Sequence, residues 1–253
     1  MARLGKPALA LTALLATVFT PVKAWAPQTR IRLAEEAVRL MPSSLRLALL
    51  RHRESLLRGA LEPLSREDGR EHLPPWDGGT LDAEIAGQAE ALVESIDRPL
   101  PFAEVARHFG ALAHFVADAG FPPGAAGKTG KDHYSEFAEF CESRRRRFPL
   151  VFYGHEDKDF DSGDARSFAQ GVLSRARDED RGLARAYREW RLAPDPSAFD
   201  DRSVPFAIAS LSYSRTVTDI VRAWLSAWGR AHGDLGLTPY LAPPTRRALE
   251  GER

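Results

Sequence analysis

The stretch from Pro101 to Pro123 carries hydrophobic residues at intervals of three and four, the spacing of one face of an α-helix. Its other faces are also largely apolar, so we expect this helix to lie inside the protein. Gly120 is a suitable C-cap, and the two prolines that follow oppose continuation of the helix. The stripe along one face consists of Val105, Phe109, Leu112 and Val116.

Two polar residues interrupt this apolar helix. His114 and Asp118 are four residues apart, which places an imidazole and a carboxylate on the same side of the helix. One interpretation is a buried ion pair, or a hydrogen-bonded histidine, that only holds the helix in place. The other is that the two side chains are two of the ligands of a zinc ion. A His-x-x-x-Asp spacing is common by chance, so the rest of the chain must decide between them.

Six further segments have helical periodicity, and together they predict an all-α, multi-helix bundle of about seven helices in one domain. Between the helices, segment 61–80 is expected to be irregular and segment 124–131 to be flexible. Segment 157–164 is expected to be a loop that ends in a helix N-cap. The run Leu150–Tyr153 resembles a β-strand but is too short to make a sheet. The helical segments are 29–41, 43–59, 80–96, 132–147, 167–190 and 204–231.

The N-terminus has the features of a secretory signal peptide. Basic residues precede an apolar run from Pro7 to Phe19, and Val22 and Ala24 are small residues at the positions that a signal peptidase recognises. We therefore expect cleavage after Ala24, leaving residues 25–253 as a secreted or periplasmic domain. No later apolar run is long enough for a transmembrane segment, so none is expected after signal removal.

Acidic and basic side chains balance, with 35 of each, and three of the basic ones lie in the predicted leader. Such a balance argues against a general binder of nucleic acid or of anionic membranes. The single cysteine, Cys141, excludes an intrachain disulfide, so stability is expected to come from packing or from a metal.

Three motifs in their order along the chain carry a resemblance to a known family. They are Trp25 at the predicted mature N-terminus, His72 in HLPPWDGGT, and His114 with Asp118 in HFVADAGFPP. Taken alone, His72 could equally belong to a turn with a packed indole. Together the motifs resemble the zinc-dependent phospholipase C family, which shares its fold with the fungal and plant single-strand nucleases. The resemblance covers most of the chain after the leader and implies a fold of that type.

The resemblance also implies metal ligands at particular positions. His72, His114 and Asp118 correspond to one site, which three protein ligands and a water can complete. The amino and carbonyl groups of Trp25, with Asp118, correspond to a second site. A third site would retain Glu136, with Asp132 or His133 as its possible partners.

Several ligand positions of the family are substituted in this chain. Arg30 stands where a histidine is expected, and a guanidinium cannot bind a metal because it stays protonated. Gly124 and Asp132 also replace histidines, and Glu62 or Asp68 could replace an aspartate only if the loop shifts. The substitutions therefore favour one zinc ion, or none, over three.

Two functions from different classes remain open. The chain could be an exported phosphodiesterase, with phospholipid head groups as the substrate that the resemblance implies. Zinc and Asp118 would then activate water, and Arg30 would supply positive charge at the leaving oxygen. Alternatively, it is a non-catalytic helical relative that binds a lipid or a protein, with at most one structural metal, in which Arg30 pairs with Asp118 or Glu136. A nuclease is a third possibility, but the charge balance gives it no support, and no nucleic-acid partner is expected.

Overall fold

The computed structural model of the chain describes residues 24–65, 69–157, 163–194 and 199–241. These ranges contain nine α-helices and no β-strand, which confirms the all-α prediction. Apart from Ala24, the predicted leader lies outside them. The helices are α1 Pro27–Arg39, α2 Ser43–Arg51, α3 Arg53–Leu61, α4 Leu81–Asp97, α5 Phe102–Ala119, α6 Pro122–Ala126, α7 Tyr134–Arg144, α8 Ala165–Leu192 and α9 Val204–Arg230. Four 3₁₀ turns span Glu62–Ser65, Gly69–His72, Pro75–Asp77 and Gly127–His133.

Helix α5 lies at the centre of the bundle, as its apolar pattern predicts. It packs against α1, α3, α4, α8 and α9, and its residues from Leu112 to Ala119 are all buried. On its α9 side, the Trp224 indole packs edge-on against the Phe109 ring and donates a hydrogen bond of 2.9 Å to the Phe109 carbonyl. The residues of α5 that carry chemistry are therefore held on a fixed scaffold.

Two glycines bring the backbones of α3 and α5 into direct contact. A Cβ added to Gly59 would collide with the Arg107 carbonyl, and one added to Gly110 would collide with the Leu56 carbonyl. Glycine lets two helices approach more closely than any other residue allows. This close approach brings the Ala60 carbonyl, near the end of α3, beside α5.

Two differences from the predicted helices account for nine helices rather than seven. His52 leaves the helical conformation, with φ −109° and ψ 31°, and divides the predicted second helix into α2 and α3. The segment 124–131, expected to be a flexible loop, instead belongs to α6 and a 3₁₀ turn. Pro122 and Pro123 begin α6 instead of only ending α5, because proline is tolerated in the first turn of a helix.

Helices α8 and α9 are the longest elements, and each has a capped start. The Asp164 carboxylate accepts a hydrogen bond from the Ser167 backbone N–H, which confirms the predicted N-cap before α8. Ser203 caps α9 in the same way through the Phe206 backbone N–H. No helix within the described ranges is long and apolar enough to cross a membrane.

Candidate metal centre

Three buried side chains from two elements meet at the C-terminal half of α5. His72 comes from the 3₁₀ turn Gly69–His72, and His114 and Asp118 come from α5. One nitrogen of each imidazole and one carboxylate oxygen lie within 4.8 Å of one another. We refer to these three residues as the His72 cluster. Within the described residues, it is the group of histidine, cysteine and acidic side chains whose geometry suits a metal ion.

His114 presents an unused lone pair to this cluster. Its Nδ1–H donates to the Ala60 carbonyl at 2.8 Å, which leaves Nε2 as the nitrogen with the lone pair. Nε2 is buried and has no hydrogen-bond partner. Burial, and then the charge of Arg30, lower the pKa of His114 below its ordinary value, so the imidazole is neutral near pH 7. A zinc-binding histidine is typically held by the same kind of hydrogen bond from its other nitrogen.

Asp118 is an ionised carboxylate in the interior. Its Oδ2 lies 2.6 Å from His72 Nδ1 and 3.3 Å from His114 Nε2, and its Oδ1 accepts a hydrogen bond from Arg30. Burial opposes ionisation, but the Arg30 charge outweighs it and holds the pKa of Asp118 well below its usual range. The carboxylate is therefore available as a metal ligand at neutral pH.

The donor set fits a zinc ion. Ligands at about 2.0–2.1 Å from a tetrahedral zinc lie roughly 3.3 Å apart, which is the separation between His114 Nε2 and Asp118 Oδ2. The shorter distance from His72 to Asp118 is that of a hydrogen bond, so the proton between these two atoms would have to leave this position before both atoms bind a metal. Two imidazoles and one carboxylate are a recognised zinc ligand set.

Arg30 fills the space between Asp118 and the Trp25 carbonyl. Its Nε donates to Trp25 O at 2.7 Å, one Nη donates to the His114 carbonyl at 3.2 Å, and the other pairs with Asp118. Trp25 and Arg30 are both buried. The resemblance assigns Trp25 and Asp118 to a second metal, and here both contact the guanidinium.

A cleft of about 350 Å³ leads to the cluster. His72 lies in its wall and is the member of the cluster that reaches it, whereas His114, Asp118 and Arg30 lie behind. Other parts of the wall come from the start of α6 and from the segment 127–135. The lining includes a cation, an aromatic ring and an aliphatic side chain, namely Lys131, Tyr134 and Leu73.

The other predicted ligands do not join the His72 cluster. Glu136 is exposed and pairs with Arg191 at 3.1 Å, and the exposed Asp132 offers its backbone carbonyl to the same arginine. His133 is buried, but its Nε2 faces Asp180 of α8 at 2.7 Å. The structure thus brings together His72, His114 and Asp118, with Arg30 and the Trp25 carbonyl beside them. The residues predicted for the third site, Glu136 with Asp132 or His133, lie outside this group.

The remaining substituted positions differ in their surroundings. Gly124 lines the cleft, and Glu62 is exposed and pairs with Arg107 at 3.2 Å, while Asp68 lies outside the described residues. Two contributors were not predicted from the sequence: the Ala60 carbonyl, which no side-chain pattern encodes, and Lys131. Lys131 stands in the Gly-rich segment GAAGKTGK, and only the fold shows that this segment forms a wall of the cleft.

Comparison with known proteins shows similarity at the level of fold. No protein-family model matches the chain, and no curated protein sequence does so. Among solved structures, the crystal structure of alpha-toxin from an avian strain of Clostridium perfringens matches with a TM-score of 0.60 and 14% sequence identity. The match covers 81% of this chain and 64% of the toxin chain, so this chain spans less than two thirds of the toxin's length. The chain therefore has an all-α fold similar to that of the matched part of C. perfringens alpha-toxin.

Proposed function

We propose that this chain is an exported, zinc-dependent phosphodiester hydrolase with one zinc ion held by His72, His114 and Asp118. The observation that carries the proposal is the buried Nε2 of His114, which has a lone pair, no hydrogen-bond partner, and an ionised carboxylate 3.3 Å away. A purely structural histidine would be expected to satisfy both ring nitrogens. The fold similarity to alpha-toxin and the motif resemblance to the zinc-dependent phospholipases C support the same proposal.

The chemistry divides between the metal and the chain. Zinc, when bound, acts as a Lewis acid that polarises a phosphoryl oxygen and makes water a better nucleophile. His114 and Asp118 hold the site from behind, and His72 connects it to the cleft. The exposed ammonium of Lys131, in the cleft wall, is placed to bind the negative charge of a phosphodiester.

Arg30 acts in this proposal as a positioning residue. It is buried and does not line the cleft, so it acts on the substrate through Asp118. Its guanidinium keeps Asp118 ionised and fixed, and supplies positive charge near the position that the resemblance gives to a second metal. Lysine cannot replace it, because one ammonium cannot reach the three acceptors in the planar geometry of a guanidinium.

The apolar part of the cleft favours phospholipid head-group esters as the substrate class. Leu73 and Tyr134 offer apolar surface beside Lys131, which suits a molecule that joins a phosphodiester to a hydrocarbon portion. The resemblance implies the same substrate class.

Hydrolysis of bis(p-nitrophenyl) phosphate tests the proposal. The processed protein, purified without chelator and loaded with zinc, should release p-nitrophenolate, and His114→Ala should reduce this by at least about 100-fold. His133→Ala, the matched removal of a buried histidine elsewhere, should retain activity. Absence of zinc-dependent hydrolysis in the wild type, or its retention in His114→Ala, would contradict the proposal.

Arg30→Met separates positioning from metal binding. We expect hydrolysis to fall while zinc stays bound, and Arg30→Lys to restore little of the activity. Unchanged hydrolysis in Arg30→Met would show that the guanidinium has no part in the reaction.

One observation favours a second candidate, a non-catalytic relative with a structural metal. Arg30 already neutralises Asp118, as expected for a charge in a buried pocket that holds no metal. Under this alternative, zinc raises the melting temperature of the protein without any hydrolysis. Calorimetry and the hydrolysis assay on the same sample distinguish the two.

A further inference from the structure

One face of α8 carries four arginines along a groove. Arg177, Arg181, Arg185 and Arg188 follow each other at intervals of four, four and three residues, and so lie within about 80° of the helix circumference. With Ala126, Thr129, Asp180 and Ala184 they line a groove of about 460 Å³. We call these four residues the α8 arginine face. They span twelve residues of helix, or roughly 16 Å, which is longer than a single phosphate.

Acidic neighbours neutralise little of this charge. Asp178 pairs with Arg181 at 3.2 Å, and Asp180, at the floor of the groove, already faces His133. Glu189 lies to the side of the arginines on the same helix. Arg185 and Arg188 are exposed and form no ion pair with any residue that the structure describes. The equal totals of acidic and basic residues in the whole chain therefore conceal a strongly basic local surface.

This face adjoins the cleft of the candidate metal centre. The segment 126–131 separates the two, with Ala126 and Thr129 towards the arginines and Gly127 and Lys131 towards the cleft. Arg177, the first residue of the α8 arginine face, places its guanidinium over the Trp76 ring, 4.9 Å from the ring centroid.

Exposed apolar side chains lie beside the arginines at this end. Trp76 is 40% exposed although its indole N–H donates to the Ala125 carbonyl, and Leu73, in the cleft wall, is 41% exposed. Tryptophan with adjacent arginine is the composition found where proteins meet the head-group region of a bilayer. One face of the indole is covered by Arg177, which makes it a poor platform for stacking nucleic-acid bases.

We propose that the α8 arginine face docks the protein on an anionic phospholipid surface. The arginines bind lipid phosphates, and Trp76 and Leu73 lie at the head-group boundary, with the cleft at the membrane. The use of this contact to present lipid to the cleft rests on the proposed function; the binding itself does not require zinc or catalysis.

Vesicle sedimentation tests this proposal on the processed protein. We expect binding to vesicles of phosphatidylcholine with phosphatidylglycerol, little binding to phosphatidylcholine alone, and release by high salt. Each arginine near an anionic surface contributes about fivefold in affinity, so Arg185→Gln with Arg188→Gln should weaken binding roughly 25-fold. The matched control is Arg51→Gln with Arg58→Gln, two exposed arginines on α2 and α3, which should bind like the wild type.

Three outcomes would overturn the proposal. The first is that the wild type shows no preference for anionic vesicles, and the second is that the α8 variant and the control bind equally. The third is that a single-stranded oligonucleotide displaces the protein from vesicles at a lower concentration than competing anionic lipid does. Circular dichroism melting confirms folding of each variant, and the single change Arg185→Gln, with an expected fivefold effect, provides a second test. Repeating the sedimentation with His114→Ala separates this proposal from the catalytic one, because docking should survive loss of the metal centre.

Discussion

Two buried clusters in this protein pair histidine with a carboxylate, and they differ in what the pairing leaves unused. In the His72 cluster, two imidazoles share one carboxylate, and Nε2 of His114 has no hydrogen-bond partner. In the second cluster, one imidazole, His133, faces one carboxylate, Asp180, at 2.7 Å. Burial and pairing therefore do not by themselves indicate a metal site. A third donor and an unused lone pair are what distinguish the first cluster.

The two clusters also differ in which elements they join. His114 and Asp118 stand one turn apart on a single buried helix, and the Ala60 carbonyl fixes the imidazole. His133 and Asp180 come from a 3₁₀ turn and from α8, and the Tyr187 ring stacks on His133 at 5.3 Å. The first arrangement preorganises donors towards one point, whereas the second fastens two segments of the chain together.

Removal of the shared carboxylate should have the largest effect. Asp118→Ala leaves Arg30 buried without its counter-charge, so we expect the free energy of unfolding to fall by about 3–5 kcal/mol. Urea denaturation at neutral pH, in the absence of zinc, measures this. A loss below about 1 kcal/mol would mean that the pairing of Arg30 with Asp118 contributes little to the stability of the fold or of the His72 cluster.

Moving the Ala60 carbonyl away from His114, without changing a residue of the His72 cluster, should have the second largest effect on stability. Gly110→Ala places a methyl group against the Leu56 carbonyl, which must separate α3 from α5 at a cost of about 1–3 kcal/mol. It should also weaken zinc binding, since the Ala60 carbonyl moves away from His114. Gly87→Ala is the matched control: it lies within α4 with open space around it and should stabilise the protein by up to about 1 kcal/mol. Equal melting temperatures for the two variants would contradict the close contact of α3 and α5.

Breaking the second cluster should cost less and should not affect metal binding. His133→Ala leaves Asp180 without its partner, but Asp180 lines the α8 groove and can be hydrated there. We therefore expect a loss of about 1–2 kcal/mol in urea denaturation, with unchanged zinc affinity. A fall in zinc affinity would place His133 at the metal after all, as the resemblance allowed.

A third buried carboxylate, Asp82, is paired with an arginine that is exposed to solvent. Asp82 accepts hydrogen bonds from the exposed Arg166 at 2.8 Å and from Gln170 at 3.0 Å. Burial opposes its ionisation, but these bonds outweigh it and lower the pKa of Asp82 below its ordinary 3.8. A lowered carboxyl pKa adds stability at neutral pH, and that stability is lost as the pH falls through 3.8 and below.

Asp82→Asn should therefore have the smallest effect. We expect a loss of no more than about 1 kcal/mol at pH 7, and a difference from the wild type that shrinks as the pH falls through 3.8 and below. Thermal unfolding across this pH range measures it. If the stability difference between Asp82→Asn and the wild type grew as the pH fell, the pKa of Asp82 would not be lowered, and its pairing with Arg166 would be contradicted.

Much of the fold and half of the site follow from local sequence patterns. Helical periodicity identified α5 as buried, and a four-residue spacing placed His114 beside Asp118. No local pattern marks the break at His52, which is neither proline nor glycine and turns the chain so that α3 meets α5. His133 and Asp180 meet although 47 residues separate them, and only the packing of α8 against the turn before α7 brings them together. The same holds for Arg30, whose partners include the Trp25 carbonyl and, on α5, the His114 carbonyl and Asp118.

Zinc titration of the metal-free protein is the sharpest test of whether the His72 cluster binds a metal. The wild type and His133→Ala should each bind one zinc ion per chain, and His114→Ala should bind at least about 100-fold more weakly. Isothermal titration calorimetry gives both the stoichiometry and the affinity of zinc binding for the three proteins, each confirmed to be folded by circular dichroism. Equal zinc binding by His114→Ala and the wild type, or no binding by the wild type, would show that the His72 cluster is not a metal centre.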